Sequence, residues 1–151
     1  MNHVSFFHHR EKVRGEAMLL SDTQALRLWH DVVLDQVRDD LPDLTLRQMA
    51  VLLTVYLEPP PHTVRALAKK LDVTKPVITR ALNTLGQHGL TERRRDPNDR
   101  RNVLVQRTLK GALFLETLAD AIRRAAEAVA ELPDLDEPSA PTPDAGATSL
   151  G

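Results

Sequence analysis

Apolar residues return every three or four positions from Ala25 onward, at Leu28, Trp29, Val32, Val33 and Val37, the spacing of a helix face. Ser21, with Gln24 three residues later, makes a capping box in which hydroxyl and amide each take an orphan backbone N–H. The pattern therefore predicts a helix over 22–40, ended by Pro42. Thr45 and Gln48 repeat the device ahead of Met49, Leu52, Leu53 and Tyr56, and Pro59-Pro60-Pro61 stops that second helix. Thr63 can cap a short helix whose apolar positions are Val64, Leu67, Ala68 and Leu71, and Asp72-Val73 is a tight link to the next. There Thr74 is the expected cap and Pro76 sits in the first turn, where a missing N–H costs little. Ile78, Ala81, Leu82 and Leu85 form its stripe, and Gly89 closes it near His88 in the left-handed position.

After Gly89 the period changes from helical to alternating. Leu90 to Arg94 and Asn102 to Arg107 read as two strands joined by the turn Asp96-Pro97-Asn98-Asp99. Val103 and Val105 share one face, Leu104 and Gln106 the other. Thr108 then caps a last helix in which Leu115, Leu118, Ile122, Ala125, Val129 and Leu132 make a heptad-like seam. That seam can pack within the chain or against a second copy. The organisation that results is a flexible segment over 1–20, a folded unit over 21–132, and a Pro- and Ala-rich acidic tail over 133–151 expected to be disordered. Within the unit, a lobe of about 44–108 is flanked by helices 22–40 and 109–132. The fold class is mainly α, with a two-stranded β wing.

Charge sharpens this picture. The chain of 151 residues has a net charge of −1, which hides a segregation. Residues 62–107 hold eleven Lys and Arg against four acids, and the remainder nine against seventeen. Positive charge gathered into one third of a chain points to a polyanionic partner there. Five of those cations, Arg93, Arg94, Arg95, Arg100 and Arg101, lie on the hairpin arms and turn. Opposed like charges are unfavourable across a ladder, so these either point to solvent or await an external anion. On the helix before them, Lys75, Val77, Thr79, Arg80, Asn83 and Thr84 lie opposite the apolar stripe, and none is acidic.

Two short helices joined by a tight turn and followed by a basic hairpin describe a helix-turn-helix with a wing. Such a helix fits the major groove of duplex DNA, where Thr79, Arg80 and Asn83 can reach base edges; Arg is the usual partner of guanine and Asn of adenine. The hairpin arginines suit phosphates or the minor groove, whose negative potential favours Arg.

TKPVITRALNTLGQHGLTERRRDPNDRRNVLVQRTLKG, residues 74–111, resembles the recognition helix and wing of the MarR (multiple-antibiotic-resistance regulator) family. The shared features are Leu85 to Leu90, Arg93 or Arg94, Asp99-Arg100-Arg101, and Thr108 to Gly111; LTLRQMAVL, residues 44–52, is similar to the opening of the preceding helix. The resemblance covers residues 22 to about 130. It implies a homodimeric winged-helix transcription factor, usually a repressor, bound to double-stranded operator DNA and often released by a small-molecule effector. By position it implies that Val77, Thr79, Arg80 and Asn83 face the major groove and that Arg100 and Arg101 address the minor groove. Asp99 would orient the wing by pairing with Arg94. Dimerisation would use the terminal helices 22–40 and 109–132, with Leu115, Leu118, Ile122 and Val129 of the latter. Asn83-Thr84 stands where the family often has Asp-Arg, and the last helix ends at Leu132, where many members continue.

Other chemistries find little footing. There are no cysteines, which excludes disulfides and cysteine-based zinc sites. His3, His8 and His9 lack a fourth ligand, so no metal is expected, and His30, His62 and His88 read as surface or interhelix residues. No glycine-rich phosphate loop or nucleophile elbow occurs, so neither an enzyme nor a bound cofactor is expected. No apolar run approaches a membrane span, and the start lacks signal-peptide order; a cytoplasmic protein without a membrane partner is the expectation. The alternative function is a winged-helix interaction module whose wing binds an acidic protein.

Overall fold

The computed structural model describes residues 20–132; the segment before Leu20 and the 133–151 tail lie outside the described residues. Both capping boxes form. Ser21 Oγ accepts from the Gln24 N–H at 3.2 Å and Gln24 Oε1 from the Ser21 N–H at 2.9 Å, opening α1 (Asp22–Arg38). Thr45 and Gln48 do the same at 3.2 and 2.9 Å, opening α2 (Leu46–Leu57). The chain continues as β1 (His62–Thr63), α3 (Val64–Leu71), α4 (Lys75–Gln87), β2 (Thr91–Arg95), β3 (Val103–Arg107) and α5 (Leu109–Ala130). Thr63 caps α3 through the Ala66 N–H at 3.1 Å. Thr74 stands at the start of α4, but its hydroxyl makes no cap bond. Pro76 removes one candidate donor, and the Val77 N–H bonds the Thr74 carbonyl instead at 3.1 Å.

The link between α3 and α4 turns on Asp72, at φ 52°, and α4 ends before Gly89, at φ 72°. Asp and Gly are residues that tolerate this left-handed conformation. The hairpin is present, with strands starting one residue later than the sequence suggests. It is part of a three-stranded antiparallel sheet, ordered β1-β3-β2. The third strand pairs His62 with Val105 and Thr63 with Leu104, a two-residue strand too short to leave an alternating pattern. His62 is accordingly buried, its Nε2 3.2 Å from the Glu58 carbonyl.

Ile78, Leu82 and Leu85 of α4 are fully buried against Val51, Leu52 and Val55 of α2, Leu67 of α3, and Leu90, Val105 and Phe114. Each such aliphatic side chain contributes about 1.5–3 kcal/mol of burial. A second cluster, Val32 with Leu118 and Ala125, holds α1 to α5. This limits what the α5 seam leaves free for a second copy. Leu118 and Val129 are buried within the chain, and Leu115 packs on both clusters; of the four seam residues only Ile122 is exposed. A heptad in one helix cannot say whether its partner is α1 or a second copy, and here α1 takes it.

The lobe and α5 are joined at Tyr56. Its hydroxyl accepts from the Thr108 N–H at 2.8 Å, and its proton can go to the carbonyl of Leu90 or of Thr108, each at 2.9 Å. Thr108 Oγ1 donates to the Gly89 carbonyl at 2.7 Å and accepts from the Gly111 N–H at 3.0 Å. Gly111 faces this joint so closely that a Cβ there would overlap the Tyr56 hydroxyl and the Leu90 carbonyl. Gly111→Ala should therefore destabilise the fold by at least about 2 kcal/mol through overpacking, although Gly→Ala in a helix ordinarily stabilises by about 1 kcal/mol. Urea denaturation reads the sign directly; a stabilised variant would mean the joint gives way easily.

Candidate nucleic-acid interface

Burying Ile78, Ala81, Leu82 and Leu85 turns the other side of α4 outward. Lys75, Thr79, Arg80 and Asn83 are exposed and Val77 and Thr84 half-buried, so the structure brings the six helix residues of the candidate site onto one free surface. Thr84 is partly spent locally, its hydroxyl 3.4 Å from the Arg80 carbonyl.

The hairpin register answers the question that five clustered arginines raise. Arg93 lies opposite Val105, Arg94 opposite Leu104 and Arg95 opposite Val103. No arginine faces another across the ladder, so the like-charge penalty between opposed residues is avoided by alternation with apolar partners. Paired residues share a face and successive residues alternate. Arg93 and Arg95 therefore lie on the side of buried Thr91 and Val105, towards α4, and Arg94 on the other. Arg93 reaches α4 directly, its Nη2 donating to Asn83 Oδ1 at 2.7 Å.

Asp99 does not meet Arg94, which corrects the expected wing pairing. Asp99 Oδ1 accepts from the Arg101 N–H at 3.0 Å and Oδ2 from the Asn102 amide at 3.3 Å. Asp96 Oδ1 likewise accepts from the Asn98 N–H at 2.9 Å. Both acids are occupied by their own turn, where the sequence separation is two or three residues and ordering costs least. Arg94 instead lies with Nε 3.6 Å from Glu92 Oε1, both side chains exposed, a pair of little energetic weight. Arg100 and Arg101 are exposed at the tip.

Sequence reasoning missed Arg107. It donates from Nε to the Val55 carbonyl at 2.8 Å and from Nη2 to the Glu58 carbonyl at 2.9 Å, with its guanidinium 5.8 Å from the Tyr56 ring centroid. It thus satisfies carbonyls at the end of α2, where a cation also meets the negative pole of the helix. The available signal was a lone cation ending a strand that opens with three apolar residues, Val103 to Val105. A cleft of about 510 Å³ lies between the α1–α2 link, the turn after α4 and the start of α5, lined by Asp40, Leu41, His88, Lys110, Leu113 and Phe114 among others. Among the described residues, no helix is long and apolar enough to cross a membrane and no cluster of His, Asp and Glu could hold a metal ion.

This arrangement, a helix with an exposed donor-rich face beside a basic antiparallel wing, defines a winged helix-turn-helix protein. Residues 44–103 match the model of the MarR family. Among solved structures the chain is similar to MarR (26% identity, TM-score 0.52, over 71% of this chain and 74% of that one). It is also similar to the transcriptional repressor CouR bound to a 23-mer DNA duplex (27%, 0.55, 70% and 72%). YusO from Bacillus subtilis shares the fold (20%, 0.60, 74% and 79%). No curated protein matches the sequence.

Because Asp99 supports the wing tip from within the turn, Asp99→Ala should loosen residues 98–102 while changing global stability by less than about 0.5 kcal/mol. Amide hydrogen exchange would show faster exchange confined to the tip; unchanged rates would mean the backbone turn suffices without the carboxylate.

Proposed function

We propose that this protein is a transcriptional regulator, acting as a repressor, that binds a pseudo-palindromic operator in double-stranded DNA as a homodimer. In each subunit α4 enters the major groove with Lys75, Val77, Thr79, Arg80, Asn83 and Thr84 facing it. Arg93 and Arg95 follow on the wing's inner face, and Arg100 and Arg101 lie over the adjacent minor groove. The observation that carries the reading is the convergence of the free face of α4 with the inner face of the wing, joined by the 2.7 Å bond from Arg93 to Asn83. The likeness to CouR, a repressor seen on duplex DNA, supports the regulatory sign.

Dimerisation is assigned to α1 and not to the α5 seam. Leu26, Trp29, Val33 and Val37, spaced 3, 4 and 4, are 70%, 52%, 38% and 73% exposed. An apolar stripe left uncovered on a helix already packed on its other side marks an association surface. Two copies joined there would address half-sites about one helical turn apart. Effector release is assigned to the cleft between the α1–α2 link, the turn after α4 and α5, where an occupant would bear on the link that leaves α1 and on the turn that ends the reading helix.

The first test is fluorescence anisotropy with DNA from upstream of the gene, with and without non-specific competitor. Specific binding should persist against competitor. Between about 50 and 200 mM salt it should weaken by roughly 10³–10⁵-fold, the signature of six to ten phosphate contacts. Binding that vanishes with competitor would sink the reading and leave the wing free for an acidic protein partner. Separately, Trp29→Glu should convert the protein from dimer to monomer in size-exclusion chromatography with light scattering, leaving its circular dichroism spectrum unchanged. A variant that stays dimeric would move the interface elsewhere.

A further inference from the structure

The bond between Arg93 and Asn83 bears on what α4 reads. A guanidinium carries only donors, so the group that meets Arg93 Nη2 at 2.7 Å is the amide oxygen of Asn83, and the rotamer is chemically determined. The bond is charge-assisted. Arg93 makes no ion pair among the described residues, since Glu92 lies on the opposite sheet face beside Arg94, and its charge stays on the amide oxygen. An unrestrained Asn reads adenine with both halves of its amide, donating to N7 and accepting from the N6 amino group. Here an adenine amino group would have to share the oxygen with a cation that repels its hydrogens. Guanine presents only acceptors, N7 and O6, in the major groove, and asks only for donors.

We propose that Arg93 makes Asn83 a donor-only reader, so that this amide selects guanine over adenine at one base pair of each half-site. The inference rests on the DNA-binding reading above. Arg93 is then a positioning residue for specificity, acting through Asn83, and the wing takes part in base selection on a helix it was expected only to flank. Asn83 thereby acquires a role that an aspartate could not fill: a carboxylate would bind Arg93 equally well but could donate nothing to a base.

The experiment is selection of the full chain and its variants on a library of randomised duplexes, followed by sequencing. Wild type should enrich guanine at the position Asn83 addresses. Arg93→Ala should shift that position towards adenine, because the oxygen is released, and Arg93→Lys, which keeps a donor cation, should retain guanine. Asn83→Asp should lose the guanine preference by on the order of tenfold, in the direction of cytosine, whose amino group suits an acceptor. A merely structural latch would leave all four profiles alike or flattened together. A specific wild-type profile that Arg93→Ala leaves unchanged overturns the inference alone; a wild type with no sequence preference overturns the DNA-binding reading with it.

Discussion

The phenol of Tyr56 is wedged where three parts of the chain meet: the end of α2, the turn that follows α4, and the junction of β3 with α5. One hydroxyl answers the Thr108 N–H and faces the carbonyls of Leu90 and Thr108, groups that would otherwise be buried without partners in a bend that allows no regular ladder. Gly111 lets α5 approach to the distance at which this is possible. Arg107 closes the other side, holding the carbonyls of Val55 and Glu58 over the Tyr56 ring. The angle between α4, the wing and α5 follows from this joint. A tilt of α4 relative to β2 would break it before it disturbed the apolar core, because polar contacts are directional and burial is not.

The same geometry explains how the fold tolerates its concentration of positive charge. Arginines on β2 face Val103, Leu104 and Val105 on β3, so each stem lies on an apolar neighbour while its guanidinium reaches outward. The two acids of the turn are bound to their own backbone and side chains and compensate the arms only at a distance. Positive potential therefore survives on the wing. Such a surface is costly in isolation and becomes favourable once phosphates displace the counterions.

Much of this architecture was legible in the residues. Ser21 with Gln24 and Thr45 with Gln48 marked two helix starts because a capping box is local and complete within four residues. Ile78, Ala81, Leu82 and Leu85 marked the inner side of α4, and hence its outer side, because burial and periodicity are two views of one fact. What escaped was decided by competition between distant groups. Asp99 has a choice between Arg94 and its own turn, and only the folded hairpin reveals that the turn wins. Thr74 has a capping side chain, but the Val77 N–H that it would take goes to its backbone carbonyl instead. His62–Thr63 is too short for any period, and its pairing with β3 depends on where the three prolines leave the chain.

The exposed apolar side of α1 is the instructive case. Regular apolar spacing in α5 and in α1 looked alike in the sequence, and α5 carried the longer repeat. Packing distinguishes them: Val32 goes in against Leu118 and Ala125, which consumes the α5 seam and one side of α1. What is left is the opposite side of α1, where Trp29, Val33 and Val37, read as part of a single stripe with Val32, lie exposed together with Leu26. Val32 and Val33 are adjacent and so point about 100° apart on a helix; one of them being fully buried forces the other towards solvent. A helix with apolar residues over that much of its circumference has more apolar surface than one neighbour can cover. The sequence thus held the information that α1 carries more apolar surface than α5 covers among the described residues.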